Sequence, residues 1–566
     1  MSNDTPQIVI ARFSQHKLKK KRMHDLTKLL FSALLLHGCH NLQVDTVPLF
    51  DDLGDHRYPI ITSSTAAQRY FDQGLILTYG FNHAEAARSF RQAYRLDPNC
   101  AMCYWGEAIA LGPNINTPMD PSTAPQAYAS AQKAMTLADS VSDKEKALIQ
   151  ALTKRYVQEA PTDRVSLDEA YAAAMREVTQ RFPDDAVILS LFAEALMDLH
   201  PWDFWTKQGE AKPWTAEIVS TLEQALAIDA NNPLANHLYI HALEASPFPE
   251  KALPSAQRLP SLVPASGHLV HMPAHIYIRT GRYRDAILAN QQAVKSDHGY
   301  LSHNHTESIY TLAYVPHNYH FLWAAAIKTG RKTLATQAAA DTASKVKPEL
   351  LREPGLDGTL QHFSLIPLYT LALFGEWETI LKEPLPAADL LYPKGIWHYT
   401  RGLALLRTNQ AEPARQELAQ LEKIMNDPAI AELKVFDLNP VASLLRIGSD
   451  ILSSELAAET KDYNKAAAHL KHAIELEDGL NYTEPKDWYL PPRQVLGAIL
   501  LEADRPQEAE LVYREDLRHH PQNGWSLFGL AQSLREQHKN READEIDTQF
   551  RHVWAEADVE LTGSRF

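Results

Sequence analysis

The constraint that most narrows the fold of this chain is a spacing that keeps returning. Counted from Ala67, Gly74, Ala86, Phe90, Ala93 and Pro98 stand at positions 8, 20, 24, 27 and 32. Gly281, Tyr283, Ala286, Ala293 and Asp297 fall at positions 15, 17, 20, 27 and 31 of a unit that starts at Gly267. Gly330 and Ala335 repeat positions 15 and 20, and Gly375 and Trp377 repeat 15 and 17. Gly402, Ala414 and Leu421 follow, then Tyr463, Ala466 and Ala473, then Gly497, Ala509, Tyr513 and Pro521, and last Leu530, Ala531, Leu534 and Ala543. A fixed period of this length means one supersecondary unit stacked on copies of itself. Small residues at two fixed places let paired helices approach closely, an aromatic ring fills the gap, and a proline stops the second helix.

These marks resemble the tetratricopeptide (TPR) repeat, a helix–turn–helix unit of about 34 residues. Weaker copies lie around 167–199 and 215–245, and the resemblance covers most of 65–555. Irregular connections fall near 112–125, 200–214, 246–266, 298–316 and 480–490. The expected fold is all-α, a TPR-like helix–turn–helix superhelix of nine or ten units. In that family the first helix of each unit lines a concave groove, chiefly through positions 2, 5 and 9. Those positions share one helix face, because they differ by three and four.

The histidines follow that frame. The chain has 25, and eleven lie between His200 and His320. In the unit from Pro233, His237 and His241 occupy positions 5 and 9; in the unit from Gly267, His268, His271 and His275 occupy 2, 5 and 9. In the unit from Pro316, His317 and His320 occupy 2 and 5, and in the unit from Gln361, His362 occupies 2. Eight of twelve groove positions therefore hold histidine, where the chain's own frequency predicts roughly half of one. Imidazoles from neighbouring helices can converge on one point, and imidazole suits Zn, Cu, Fe and Ni. A metal site, or two partial ones, is expected from His237, His241, His268, His271, His275, His317 and His320. "HLYIH" and "HMPAH" share the spacing of two zinc ligands on one helix face but lack the glutamate of a zinc protease.

Glu194, Glu244 and Glu307 are the carboxylates within reach of this pattern, and the insertion with His298, His303 and His305 is either a lid over the groove or a solvated loop. With an open coordination position, the ion would activate water or oxygen, with Glu244 or Tyr277 as a proton-handling or orienting group; metal storage or delivery needs no such chemistry. The alternative is an adaptor that binds a peptide or protein in its groove, with histidines making polar or pH-dependent contacts.

Cys100 and Cys103 form a C-x-x-C at a repeat junction. Tyr104 follows, so a c-type haem attachment is excluded, and no second pair completes a zinc ribbon. A disulfide, a redox or soft-metal pair with Met102 between, and inert thiols remain open. Asn114 and Asn116 cap a turn or point into the groove mouth. Trp202, Trp205 and Trp214 sit in an insertion that packs as a loop or rims the site.

At the N-terminus, the basic run Lys17–Arg22 precedes the apolar run Leu29–Leu36 and then Gly38-Cys39. That order is a secretory leader, with Cys39 placed as in a bacterial lipobox, and the apolar run is too short to span a bilayer. The expected organisation is a leader over 1–39, a linker over 40–64 and one repeat domain over 65–566 with a histidine-rich middle at 200–362. Net charge is −15 and no basic stripe follows the leader, so nucleic acid is not an expected partner. The whole chain also resembles exported bacterial TPR proteins with cysteine- and histidine-rich repeats, a group with no assigned activity, which implies only this fold and export, to the periplasm or, through Cys39, to a lipid anchor.

Overall fold

The computed structural model describes residues 47–303 and 307–566. The expected leader with Cys39, and His305, lie outside the described residues. Leu49–Phe566 forms one compact unit, and among the described residues no helix is long and apolar enough to cross a membrane.

The unit is all-α and built from paired helices. Thr65–Tyr79 packs on His83–Leu96, Val315–Lys328 on Lys332–Ser344, Leu391–Arg407 on Ala411–Met425, Val441–Glu459 on Tyr463–Asp478 and Pro492–Glu502 on Pro506–His519. Each of these pairs turns through a left-handed residue at position 15 or its equivalent: Phe81 (φ 57°), Gly330 (66°), Asn409 (62°), Lys461 (60°) and Asp504 (56°). Glycine takes that conformation freely, whereas an L side chain is strained in it.

The recurring small residues mark close approach between successive units. A Cβ added at Gly74 or Gly106 would lie 2.7 or 2.3 Å from the Phe90 ring, so Phe90 is wedged between the first helix of its own unit and that of the next. Tyr513 repeats the arrangement between Gly497 and Gly529, at 2.3 and 2.2 Å. An antiparallel two-residue ribbon, Lys434–Val435 with Asn439–Pro440, interrupts the array before Val441.

The inner face is not the open groove that the repeat pattern predicts. The C-terminal units fold back on the middle ones. Trp554 packs on Gly524 of its own unit and on Gly330 of a middle one. The Trp525 indole donates to the Ile327 carbonyl at 2.8 Å, and Asp558 accepts from the Lys332 and Thr333 amides at 2.5 and 2.9 Å. From the other end, Gly80 meets Ser266, and the Ala265 amide donates to the Asp52 carbonyl at 2.9 Å. The helices Pro233–Glu244, Gly267–His271, Pro273–Arg279 and Val315–Lys328 therefore carry their histidines into an interior.

Gly106→Val should lower the free energy of unfolding by about 1–3 kcal/mol, because the Phe90 ring has nowhere to retreat. Gly299, inside the helix Tyr283–His303, has nothing within 4 Å of a built Cβ. Gly299→Ala should therefore stabilise by up to about 1 kcal/mol. Urea unfolding midpoints of the two variants check both signs.

Candidate metal centre

The helix that opens at Gly267 is placed by a buried polar knot. Asp297 is 1 % exposed and accepts from the Tyr310 hydroxyl (2.7 Å) and the Asn318 amide (2.7 Å). The Tyr310 oxygen in turn accepts from the His268 backbone amide at 3.2 Å. A Cβ at Gly267 would stand 1.9 Å from an Asp297 oxygen, so only glycine starts the helix there. Pro273 then divides the helix into Gly267–His271 and Pro273–Arg279, with His271 and His275 on either side of the break.

Two groups of three histidines result. His237, His241 and His268 form one, and His271, His275 and His317 form the other; within each, one ligand atom per residue lies within 4.8 Å of the others. The three members of the first group and His271 and His275 of the second are at most 3 % exposed, and His317 is half-buried. The groups adjoin, with ring centroids 5.6 Å apart for His241 and His275 and 5.8 Å for His268 and His271.

Hydrogen bonding orients the rings. The Glu244 carboxylate, fully buried at the end of Pro233–Glu244, accepts from His241 Nδ1 through Oε1 (2.6 Å) and from His275 Nδ1 through Oε2 (2.5 Å). His271 Nδ1 donates to Asn290 Oδ1 at 2.8 Å, since the Asn290 amide nitrogen is committed to the Ala286 carbonyl. With Nδ1 of His271 taken by Asn290 and Nδ1 of His275 by Glu244, the two Nε2 atoms face each other at 3.0 Å. Two nitrogens at this distance share a proton or another cation. In the first group, His241 Nε2 and both ring nitrogens of His268 are buried with no hydrogen-bond partner among the described residues, and the His237 ring has only the Tyr79 backbone carbonyl near it to accept a hydrogen bond. Orphaned buried nitrogens of this kind are costly. A proton joins two nitrogens, whereas three convergent ones match a metal ion.

Burial, and then the neighbouring imidazoles, push His237, His268, His271 and His317 well below the ordinary histidine pKa; burial lowers His241 as well. Their lone pairs are thus available at neutral pH. Burial alone would raise Glu244, but the attraction of His275 and the hydrogen bonds from His241 and His275 outweigh it and hold the carboxyl below the usual range. A carboxylate behind a ligating histidine fixes its tautomer and raises its basicity.

Several residues singled out in the sequence stand elsewhere. His320 belongs to neither group. Its ring packs on Trp323 of its own helix and on His362 of the next helix, Asp357–Leu373, at 5.3 and 5.5 Å. His362 Nδ1 meets the Tyr392 hydroxyl at 2.8 Å. Glu194 is buried with Asp198 in the field of Arg155, and Glu307 pairs with Lys347. His298 and His303 do not close a lid: they end the helix Tyr283–His303, with His298 Nε2 2.8 Å from the Tyr319 hydroxyl and His303 exposed. Tyr277 stacks under Arg282 rather than at the groups. Cys100 and Cys103 are bonded as a buried disulfide at a helix start, which leaves no free thiol there for a soft metal. Asn114 caps its turn, while Asn116 accepts from the Trp202 indole at 3.1 Å. Trp214 stacks on His200, and the Trp205 indole donates to the Ala242 carbonyl.

The residues that complete the surroundings are mostly ones the motifs did not single out. Phe81 packs on His237, His268 and His241 with centroids at 4.7, 5.4 and 6.1 Å. Trp202 sets its edge on His241 at 5.2 Å, and Phe436, in the turn between the strands of the two-residue ribbon, meets His317 at 6.4 Å. All three aromatics have positive φ, at 57°, 62° and 52°. A bulky residue in that region marks strain that the surroundings impose, and such strain gathers at functional sites. Phe81 carried a readable signal: it holds position 15, where three other units have glycine. Tyr482 carried none. Its hydroxyl lies 3.1 Å from Glu244 Oε2 and 3.2 Å from Glu484 Oε2.

No family model matches the chain, and no curated protein matches it. Among solved structures it is similar to the human IFIT1 dimer with m7Gppp-AAAA, at 11% identity and a TM-score of 0.32 over 90% of this chain and 96% of that one. It is also similar to the APC/C hetero-tetramer Cut9-Hcn1, at 11% and 0.28 over 94% and 80%. Yeast Tom70 follows, at 14% and 0.26 over 87% and 92%. At these values the likeness carries nothing about ligand or activity.

His362 gives a clean test of burial. Desolvation lowers its pKa to about 3, so below pH 6.5 the unfolded chain binds a proton there that the folded chain refuses. Stability is therefore lost as pH falls from 6.5 toward 3. Between pH 7 and pH 5, His362→Leu should gain about 2 kcal/mol relative to the wild type. Urea unfolding of both proteins at the two pH values checks it, and an unchanged difference counts against a neutral, buried His362.

Proposed function

We propose that this chain is a transition-metal protein whose two groups, His237–His241–His268 and His271–His275–His317, each hold an ion. The supporting observation is the convergence of one ring nitrogen per histidine in each group while Nδ1 of His241, His275 and His271 is held by Glu244 and Asn290. Three imidazoles around an ion with metal–nitrogen bonds near 2.0–2.1 Å stand about 3.3 Å apart, so ligand atoms that lie within 4.8 Å of one another need to close by up to about 1.5 Å. Neutral nitrogen donors fit Cu, Zn or Fe better than Mg or Ca, which prefer oxygen.

An ion with three protein ligands keeps a position open and acts there as a Lewis acid or polarises bound water. Glu244 orients two ligands, and the aromatic cover of Phe81, Trp202 and Phe436 limits water access. Carriage or storage of metal requires only the ligands. An adaptor role would use the inner face of the array, and that face is filled by the chain's own C-terminal units and histidines; a peptide or protein partner would meet the outer surface instead. We assign the protein to the cell envelope, exported or lipid-anchored at Cys39, on the order of the leader and on a C-x-x-C disulfide that suits an oxidising compartment.

Mass-spectrometric metal analysis of untagged protein tests this function. Two ions per chain are expected in the wild type. His271→Ala with His275→Ala should leave one, and His237→Ala with His268→Ala should remove the other. Glu244→Gln should weaken both sites about 10–100-fold, as loss of an orienting carboxylate does. Wild-type protein with no bound transition metal after reconstitution with Cu, Zn and Fe in turn would sink the proposal.

A further inference from the structure

A second cluster of polar groups lies outside the histidine groups. It lines a cavity of about 60 Å³ between the helix ends at Arg279 and Lys328, the connection around Lys486 and the helix end at His520. A water molecule needs about 10–15 Å³ by the same measure, so the space suits a group of four or five heavy atoms. Trp323 and Trp488 form part of the apolar wall.

The polar wall is cationic in a chain that is acidic overall. Lys328 and Lys486 have no hydrogen-bond or ion-pair partner among the described residues. Burial lowers Lys328 to about 8, against the attraction of Asp516 and with the repulsion of Lys486, so it keeps its charge at neutral pH. Arg279 adds charge but few free donors, since it donates to the carbonyls of Glu244 (2.8 Å) and Ser246 (3.2 Å). His520 is 7 % exposed and its Nδ1 has no partner; burial, then Lys328 and Lys486, keep the ring neutral, with an N–H to give.

The acids nearby are already engaged. Glu484 is the one carboxyl on the wall, and burial raises it to about 7. Asp516 accepts from Asn523 and Ser526, and Glu477 faces Arg493 at 3.6 Å. Two half-buried ammonium groups without a counter-ion in contact leave this wall with positive charge for an anion to meet.

We infer that this cavity binds a small oxyanion, a carboxylate or a phosphate group, held by Lys328, Lys486 and His520. The site goes beyond the metal proposal and stands without it. The two are nonetheless joined by hydrogen bonds, because Glu484 shares the Tyr482 hydroxyl with Glu244, which holds His241 and His275. An anion in the cavity is thus placed one carboxyl and one phenol away from the carboxylate that orients the histidines.

Calorimetric titration of the metal-free full chain tests this, with sodium acetate and inorganic phosphate as separate probes at constant ionic strength in chloride. Saturable binding of one ion per chain is expected for at least one probe, and the probe that binds names the class. Lys328→Met and Lys486→Met should each weaken it at least tenfold, with circular dichroism reporting whether each variant is folded. No saturable binding of either probe to the wild type overturns the inference, even where a variant fails to fold. Binding that folded variants leave unchanged overturns it as well.

Discussion

One carboxylate organises the interior of this protein. Glu244 ends its helix, where the backbone carbonyls already gather partial negative charge, and it is fully removed from water. A charge there is tolerated only with strong partners. It has two imidazole N–H groups from separate helices, and Arg279 covers the carbonyl of the same residue. The bidentate arrangement sets the tautomer of one histidine in each group and ties the groups together. Removal of a single partner would leave a buried charge exposed to the full desolvation cost, so the helices that carry His241 and His275 are locked in relative position by that one group.

Around this centre the fold accepts strain. Phe81, Trp202 and Phe436 come from a repeat turn, an insertion and the turn of a two-residue ribbon, three unrelated local structures. Each adopts a left-handed backbone that a large side chain resists by about 1–2 kcal/mol. Their common feature is an aromatic ring against a histidine. Asn409, Lys461 and Asp504 show that the turn itself tolerates other side chains; what distinguishes Phe81 is a side chain that is useful only on the inside.

The repeat was legible because it rests on local rules: glycine under an aromatic ring, alanine at the crossing, proline at the stop. Phe90 between Gly74 and Gly106 is that rule in atoms. The histidine face was legible too, since spacings of three and four put side chains on one side of a helix. Its division into two threes was not. Which nitrogens meet depends on the break at Pro273 and on the curvature of the whole array, and His320 falls to the other side for the same reason. The enclosure was also hidden, because the Tyr482–Glu244 contact spans 238 residues and no local pattern encodes it. Glu244 was within the sequence pattern as a carboxylate near the ligands, but its place behind two rings comes from geometry alone.

The wedge of Trp554 on Gly330 has a consequence for how the molecule comes into being. An open solenoid can grow unit by unit, each step stabilised by its neighbour alone. A chain whose last helix seals against its middle behaves differently: the chamber of histidines does not exist until both ends have arrived. During synthesis the imidazoles are made and stacked while the C-terminal third is still missing, and for that interval they face water. The interior is therefore completed late, when the C-terminal units dock on the middle ones. The order in which this chain is read from its message is itself part of how its interior is furnished.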